Sequence, residues 1–229
     1  MSCLVKTKII TVGARGSPLS RAQVEEVLAE IKAVHPDVVF EPIWRTTSGD
    51  RDLLTSLRTM DRTNFFTKEI DEMQLAGGCR LSVHSAKDLP EPLPKGLVMV
   101  ALTRGVDPSD VVVFRDGETL HDLPKGARVG TSSARREQNI QAVRSDLRCG
   151  DIRGSVGERL AQLDHGVFDG VIMAEAALIR LKLTHRSRIP LPGECAAMQG
   201  QLAVLARAGD QEMIDLFRSI DTRPYCARS

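Results

Sequence analysis

Short apolar runs alternate with stretches of helical period along most of the chain. Lys8 to Val12 reads as a buried strand, and Gly13-Ala14-Arg15-Gly16 as the turn after it. Ser17 suits a helix N-cap, and Pro18 suits the first helical position, where its missing N–H costs nothing. Val24, Val27, Leu28 and Ile31 then recur at i, i+3, i+4 and i+7, which puts them on one helix face. Val38 to Trp44 predicts a second strand. Phe66, Ile70 and Met73 mark a second helix, which Gly77-Gly78 stops. Leu81 to Val83 is a short strand, His84 to Pro90 a loop, and Val98 to Leu102 another strand.

The second half repeats the rhythm after Gly105 to Asp110, whose Asp-Pro reads as a crossing or hinge. Val111 to Phe114 and Ala127 to Gly130 are expected strands. Thr131-Ser132-Ser133 caps a helix carrying Ile140, Val143 and Leu147. Val156, Leu160 and Leu163 mark a further helix, and Phe168 to Ala174 a strand with a helix after it to about Leu183. Arg188 to Gly193, with two prolines, reads as a second crossing. Leu202 to Ala206 is a strand, and Met213, Leu216, Phe217 and Ile220 line a last helix. Such β–α alternation predicts an α/β protein with mostly parallel sheets and helices on both faces.

Composition narrows the class. With 229 residues the chain can form one large domain or two lobes with separate cores. Lys+Arg 31 against Asp+Glu 30 leaves a net charge of +1, without the basic excess expected of a protein that coats nucleic acid. No apolar run has the length of a membrane span, and the first ten residues lack the apolar core of a signal peptide. A cytoplasmic protein is therefore expected, without nucleic-acid or membrane partners. Cys3, Cys79, Cys149, Cys195 and Cys226 are scattered and form no C-x-x-C pair, so neither a zinc site nor a disulfide framework is signalled.

Three strand-to-helix loops carry cations and small hydroxyls. They are Gly13 to Ser17, Gly130 to Arg136, and Arg153 to Arg159. Free N–H groups at a helix start attract anions, glycine lets a ligand approach the backbone, and arginine holds a carboxylate or phosphate through two N–H groups. For any one such loop, ordinary helix capping with solvated arginines is the better account, since it explains the serine and threonine. Three together point to an anion bearing several carboxylates or phosphates. The segment Val83-His84-Ser85-Ala86-Lys87-Asp88-Leu89-Pro90 is different. It places an imidazole, a hydroxyl, an ammonium and a carboxylate directly after a strand, where the cation can hold the carboxylate ionised. A polar turn ahead of a proline-rich stretch is the competing account.

Taken together these segments resemble the porphobilinogen deaminase family, from about Ile9 to about Thr222. The resemblance rests on Arg15-Gly16-Ser17-Pro18-Leu19 with Gln23, on Thr47-Ser48-Gly49-Asp50, on Phe66-Thr67-Lys68-Glu69, and on His84-Ser85-Ala86-Lys87-Asp88. It continues through Gly130-Thr131-Ser132-Ser133-Ala134-Arg135-Arg136, Arg153-Gly154-Ser155-Val156-Gly157 with Arg159, Leu163-Asp164-His165-Gly166, Arg180, and Gln199-Gly200.

The resemblance implies two lobes of the type II periplasmic-binding-protein (transferrin-like) fold, joined by two crossings. Residues 1–103 plus 197–222 would form domain 1, residues 104–196 domain 2, and residues 223–229 a short tail. It implies that four porphobilinogen units are deaminated and joined head to tail into hydroxymethylbilane, on a dipyrromethane cofactor that serves as primer. Asp88 would be the catalytic carboxylate and Lys87 its cationic neighbour. Arg15, Arg135, Arg136, Arg153, Arg159 and Arg180 would hold the acetate and propionate arms, with hydroxyls from Ser17, Thr131, Ser132 and Ser133. Gln23, Asp50, Lys68, Ser85, Gly154 and Gln199 match further binding positions, and no metal is implied.

Some positions depart from the family pattern. Arg62-Thr63-Asn64 stands where Gly-Lys-Gly is usual, Ser155 where asparagine is usual, and Met198 where glycine is usual. The chain also stops before the family's third domain, whose cysteine carries the primer. Covalent attachment is therefore doubtful, and Cys226 is the nearest substitute anchor. The alternative function is a non-catalytic protein that binds pyrroles or other polyanions. A monomer is expected from the family.

Overall fold

The computed structural model describes residues 9–52, 55 and 63–224. Contacts divide the chain into two compact units. Unit 1 is Met1–Ser48, Asn64–Arg104 and Gln201–Ser229, and unit 2 is Gly49–Thr63 and Gly105–Gly200. The grouping differs from the sequence-based boundaries: among the described residues, 49–52, 55, 63 and 197–200 group with unit 2, and Arg104 with unit 1.

Unit 1 is built on a five-stranded sheet. Its strands are β1 (Ile9–Arg15), β2 (Val39–Arg45), β3 (Leu81–Ser85), β4 (Leu97–Leu102) and β10 (Leu202–Arg207), in the order β2-β1-β3-β10-β4. β1 pairs in parallel with β2 and β3, whereas β10 runs antiparallel between β3 and β4. Helix α1 (Pro18–Val34) starts as the sequence indicates. Ser17 is its N-cap, its hydroxyl accepts the Ser20 N–H at 3.3 Å, and Pro18 follows. Val24, Val27 and Ile31 from α1 pack with Val12, Leu81, Val83, Leu202 and Val204, and with Phe217 of α7 (Gln211–Phe217). On the opposite face Ala203 and Leu205 of β10 meet Ala86, Leu89 and Leu97. Both faces of β10 are thus buried, which is why it reads as an unbroken apolar run rather than an alternating one. Helix α3 (Lys68–Leu75) ends before Gly77, whose φ of +83° is the left-handed turn that glycine adopts without strain. A four-residue helix, α2 (Ser48–Arg51), follows β2.

Unit 2 repeats the plan. Strands β5 (Asp110–Val113), β6 (Arg128–Gly130), β7 (Arg148–Gly150), β8 (Gly170–Ala174) and β9 (Arg188–Leu191) are ordered β7-β6-β8-β5-β9. β5 is the reversed strand here, antiparallel to both neighbours. Side chains of β5 and of Phe114, just after it, alternate between two cores. Val112 and Phe114 join Ile140 of α4 (Ala134–Val143), while Val111 and Val113 join Leu160 and Leu163 of α5 (Val156–Asp164). Helix α6 (Glu175–Arg180) follows β8 directly.

Several sequence expectations change. Phe66 lies on a 3-10 turn (Asn64–Phe66) before α3, and Ile220 on another (Arg218–Ile220) after α7. Arg188 to Gly193 is not wholly a crossing, because Arg188–Leu191 forms β9 at the sheet edge. Pro190 sits opposite Val111, and a proline, having no N–H to donate, is accommodated on an edge strand. Leu147 lies beyond α4, which stops at Val143, and its neighbours form the short strand β7. His84 and Ser85 belong to β3, and only Ala86–Asp88 form a 3-10 turn after it.

Candidate functional site

Each unit offers its own set of polar side chains at the ends of strands. In unit 1 the 3-10 turn carries Lys87 and Asp88 directly after β3. The turn is pinned on both sides. Ala86 is fully buried and donates its N–H to the Gln201 carbonyl at 3.1 Å, and Leu89 is buried beyond it. Asp88 is half-buried, and among the described residues no partner takes its carboxylate.

Arg15 closes β1 and lies over the Phe66 ring, 4.7 Å from its centroid. Gln23 of α1 donates to the Ser85 hydroxyl at 2.8 Å, so these two expected binding residues hold each other across the helix–sheet contact. Lys68 is exposed at the start of α3. The next residue, Glu69, accepts the Ser48 N–H at 2.7 Å and fixes the loop after β2. His84 is buried, and its Nε2 has no partner among the described residues. Burial, reinforced by the Arg15 charge, pushes its pKa down to about 4. It is therefore a neutral core imidazole at neutral pH.

Unit 2 holds most of the expected arginines, and the structure gives them protein partners. Arg135 and Arg136 lie in the first turn of α4 and converge on Asp110, the first residue of β5. Arg136 Nη2 is 2.6 Å from Asp110 Oδ1, and Arg135 Nη2 is 2.8 Å from Oδ2. Burial alone would raise the Asp110 pKa, but the Arg136 charge and the hydrogen bonds from both arginines offset it and hold the carboxyl below the usual range. Arg153 donates to the Gly49 and Asp52 carbonyls at 3.3 and 2.6 Å. Arg159 Nε donates to the Gly154 carbonyl at 2.9 Å, and Arg180 to the Gly200 carbonyl at 2.8 Å. Asp50 is half-buried on α2.

The hydroxyls of the arginine loop are largely structural. Ser132 Oγ donates to the Ile152 carbonyl at 2.7 Å and accepts the Ile152 N–H at 3.0 Å, which ties the loops after β6 and β7 together. Ser133 is the N-cap of α4. Thr131 is buried and accepts the Ser133 N–H at 3.2 Å. Helix capping and loop closure therefore explain the choice of serine and threonine here. Gly154 has φ +102°, and a Cβ there would meet the Glu158 side chain at 3.0 Å. Ser155 caps α5 and forms a capping box with Glu158. Serine and asparagine are about equally good N-caps, so this departure from the family costs the helix nothing.

Gln199, expected to bind ligand, is buried. It donates to Asp110 Oδ1 at 3.0 Å and to the Pro108 carbonyl at 2.7 Å. Asp110 itself is missing from the expected site residues. The available signal was an acid opening an otherwise all-valine strand, which demands a buried cation partner. Cys226 lies outside the described residues. Among the described residues no cluster of histidine, cysteine and carboxylate could hold a metal ion, and no helix is long and apolar enough to cross a membrane.

Two α/β units of this topology define a two-lobed protein of the periplasmic-binding-protein kind. Solved structures share that fold. A probable amino-acid ABC transporter extracellular-binding protein from Bacillus subtilis superposes with a TM-score of 0.57 at 15% identity, over 93% of this chain and 90% of that one. The LysR-family transcriptional regulator CbnR superposes with a TM-score of 0.56 at 13% identity, over 93% and 70%. Residues 10–215 match the family model "Porphobilinogen deaminase, dipyromethane cofactor binding domain". Porphobilinogen deaminase of Desulforudis audaxviator is 42% identical over 94% of this chain and 71% of that protein. The Streptococcus sanguinis enzyme of the same name is 38% identical over 96% and 74%. The chain belongs to the porphobilinogen deaminase family.

Proposed function

We propose that this chain deaminates porphobilinogen and joins four units head to tail into hydroxymethylbilane, with Asp88 as its catalytic carboxylate. The observation that carries the reading is the state of Asp88. It is half-buried, it sits on a turn anchored on both sides, and no described residue consumes its charge.

The chemistry needs such a group. When the C–N bond of porphobilinogen's aminomethyl group, protonated as the ammonium, breaks, nitrogen leaves as ammonia with the bonding pair and the pyrrole is left as an electron-poor azafulvene cation. A fixed carboxylate beside the pyrrole N–H stabilises that developing charge, and a carboxylate already paired in the protein could not. Lys87, the residue before it, would supply a cation for a substrate acid. Arg15 in unit 1, and Arg135, Arg136, Arg153, Arg159 and Arg180 in unit 2, supply cationic donors for acetate and propionate arms.

The same donors suit the dipyrromethane cofactor, whose side chains are also acidic. Arg135, Arg136 and Arg153 would hold it. When bound, the cofactor provides the primer from which the pyrrole chain grows. The reading takes porphobilinogen as the small-molecule partner. It also takes the protein to be a cytoplasmic monomer without nucleic-acid or membrane partners.

The test is direct. The purified chain is incubated with porphobilinogen, and ammonia release and acid-cyclised uroporphyrin are followed. Both should appear in the ratio of four ammonia to one tetrapyrrole. Tight binding of porphobilinogen with no ammonia released would contradict the enzyme reading and favour a binding protein.

A further inference from the structure

We propose that Asp110 is a positioning residue of the anion site, a buried carboxylate that fixes Arg135 and Arg136 and thereby sets the affinity for a carboxylated ligand. The inference rests on the reading that this arginine loop binds substrate or cofactor acids.

Exposure within the cluster is graded from inside to outside. The Asp110 side chain is 0% exposed, while those of Arg136 and Arg135 are 12% and 26% exposed. The acid is turned inward and the guanidinium groups toward solvent. Arg136 places both Nε and Nη2 on Oδ1, at 3.0 and 2.6 Å, and Arg135 places Nη2 on Oδ2. One carboxylate thus orients two planar cations and neutralises one charge of the two. The positive charge left over is available to an anion. The protein supplies further restraints. Arg135 Nη1 donates to the Glu194 carbonyl, which Asn139, one turn on in α4, also reaches at 2.9 Å. Gln199 steadies the carboxylate itself by bridging it to Pro108.

Two guanidinium groups in the first turn of a helix repel each other and the positive helix end. The buried carboxylate between them offsets that repulsion. Arginine recognises a carboxylate through a rigid fork of N–H groups, so a rotated guanidinium loses the paired geometry even though its charge remains.

This gives a sign that charge alone does not. If Asp110 merely opposed anions electrostatically, Asp110→Asn would tighten binding of an acidic ligand. As a positioning residue, its loss must weaken it. The experiment measures porphobilinogen binding by titration calorimetry together with KM and kcat, on variants first shown to melt cooperatively. Asp110→Asn should raise Kd and KM on the order of 10-fold while kcat changes by less than about 3-fold, because ground state and transition state lose the same contact. Gln199→Ala keeps the Asp110 charge and removes one restraint on it. It should move Kd and KM in the same direction by about 3-fold.

A folded Asp110→Asn chain with unchanged or tighter binding overturns the proposal. Should that variant not fold, unchanged binding in Gln199→Ala overturns it instead. Arg135→Ala separates this inference from the reading beneath it. If Arg135→Ala binds porphobilinogen normally, the arginine loop is not an anion site and both fail. If Arg135→Ala binds poorly and Asp110→Asn does not, only the positioning role fails.

Discussion

Gly200 lies so close to the backbone of Asp107 that a Cβ at position 200 would sit inside van der Waals contact with the Asp107 carbonyl oxygen. Its φ of +85° is a conformation that residues with a side chain rarely adopt. Backbone cannot step aside as a side chain can. Gly200→Ala should therefore destabilise the protein by about 2–4 kcal/mol, through clash and left-handed strain together. Urea denaturation measures this, and a midpoint equal to wild type would show that the close approach does not exist in solution.

Two residues earlier the opposite substitution is informative. Met198 has φ +57° at a position where glycine would carry no strain. A left-handed non-glycine residue costs about 1–2 kcal/mol. Glycine's larger unfolded-state entropy takes back about 0.4–1 kcal/mol. Met198→Gly should therefore stabilise by about 0.5–1 kcal/mol and raise the melting temperature by about 1–4 °C. A lowered melting temperature would mean that the methionine side chain contributes packing worth more than the strain.

Two buried titratable groups in unit 1 give opposing pH dependences. His84 is held at about 4, well below its unfolded value, so the stability of its neutral state is lost as pH falls from about 6.5 through 4. Asp71, buried on α3, is pushed up to about 6 by desolvation. Its protonated form is favoured in the fold, and that contribution is lost as pH rises from about 4 through 6. Between pH 4 and 6 the two largely offset. Asp71→Asn should unmask the histidine and make stability fall by up to about 3 kcal/mol as pH drops from 6.5 to 4. His84→Gln should leave stability falling as pH rises from 4 to 6. Denaturation midpoints across that range decide it, and two variants that both keep the wild-type profile would refute the assignment.

The Ser132 hydroxyl spends both its donor and its acceptor on the Ile152 backbone. Ser132→Ala should accordingly cost about 1–3 kcal/mol of stability, because a buried N–H and C=O lose their partner. Its effect on porphobilinogen affinity should stay below about 3-fold. A large loss of affinity with normal stability would return Ser132 to the ligand-binding hydroxyls.

Where local rules act alone, the chain was legible. Ser17 and Pro18 start α1, Gly77 ends α3, and the apolar faces of α1 and α5 are the buried ones. What could not be read depends on residues far apart in sequence. β9 carries Pro190 and is recognisable as a strand only once β5 lies beside it. Asp110 gave no motif, because its meaning comes from arginines about 25 residues later and from Gln199 near the far end of unit 2. For the same reason the six arginines were visible as cations, while their internal partners were not. Motif residues such as Thr131 and Gln23 are buried structural donors and acceptors.

Asp88→Asn preserves the shape of the side chain and removes its charge. If the carboxylate stabilises a cation that exists mainly in the transition state, kcat for porphobilinogen should fall by on the order of 10²-fold or more while Kd for porphobilinogen changes by less than about 3-fold. Single-turnover ammonia release and titration calorimetry on the same preparation give both numbers. Near-normal turnover, or a loss of binding as large as the loss of rate, would contradict Asp88 as the catalytic carboxylate.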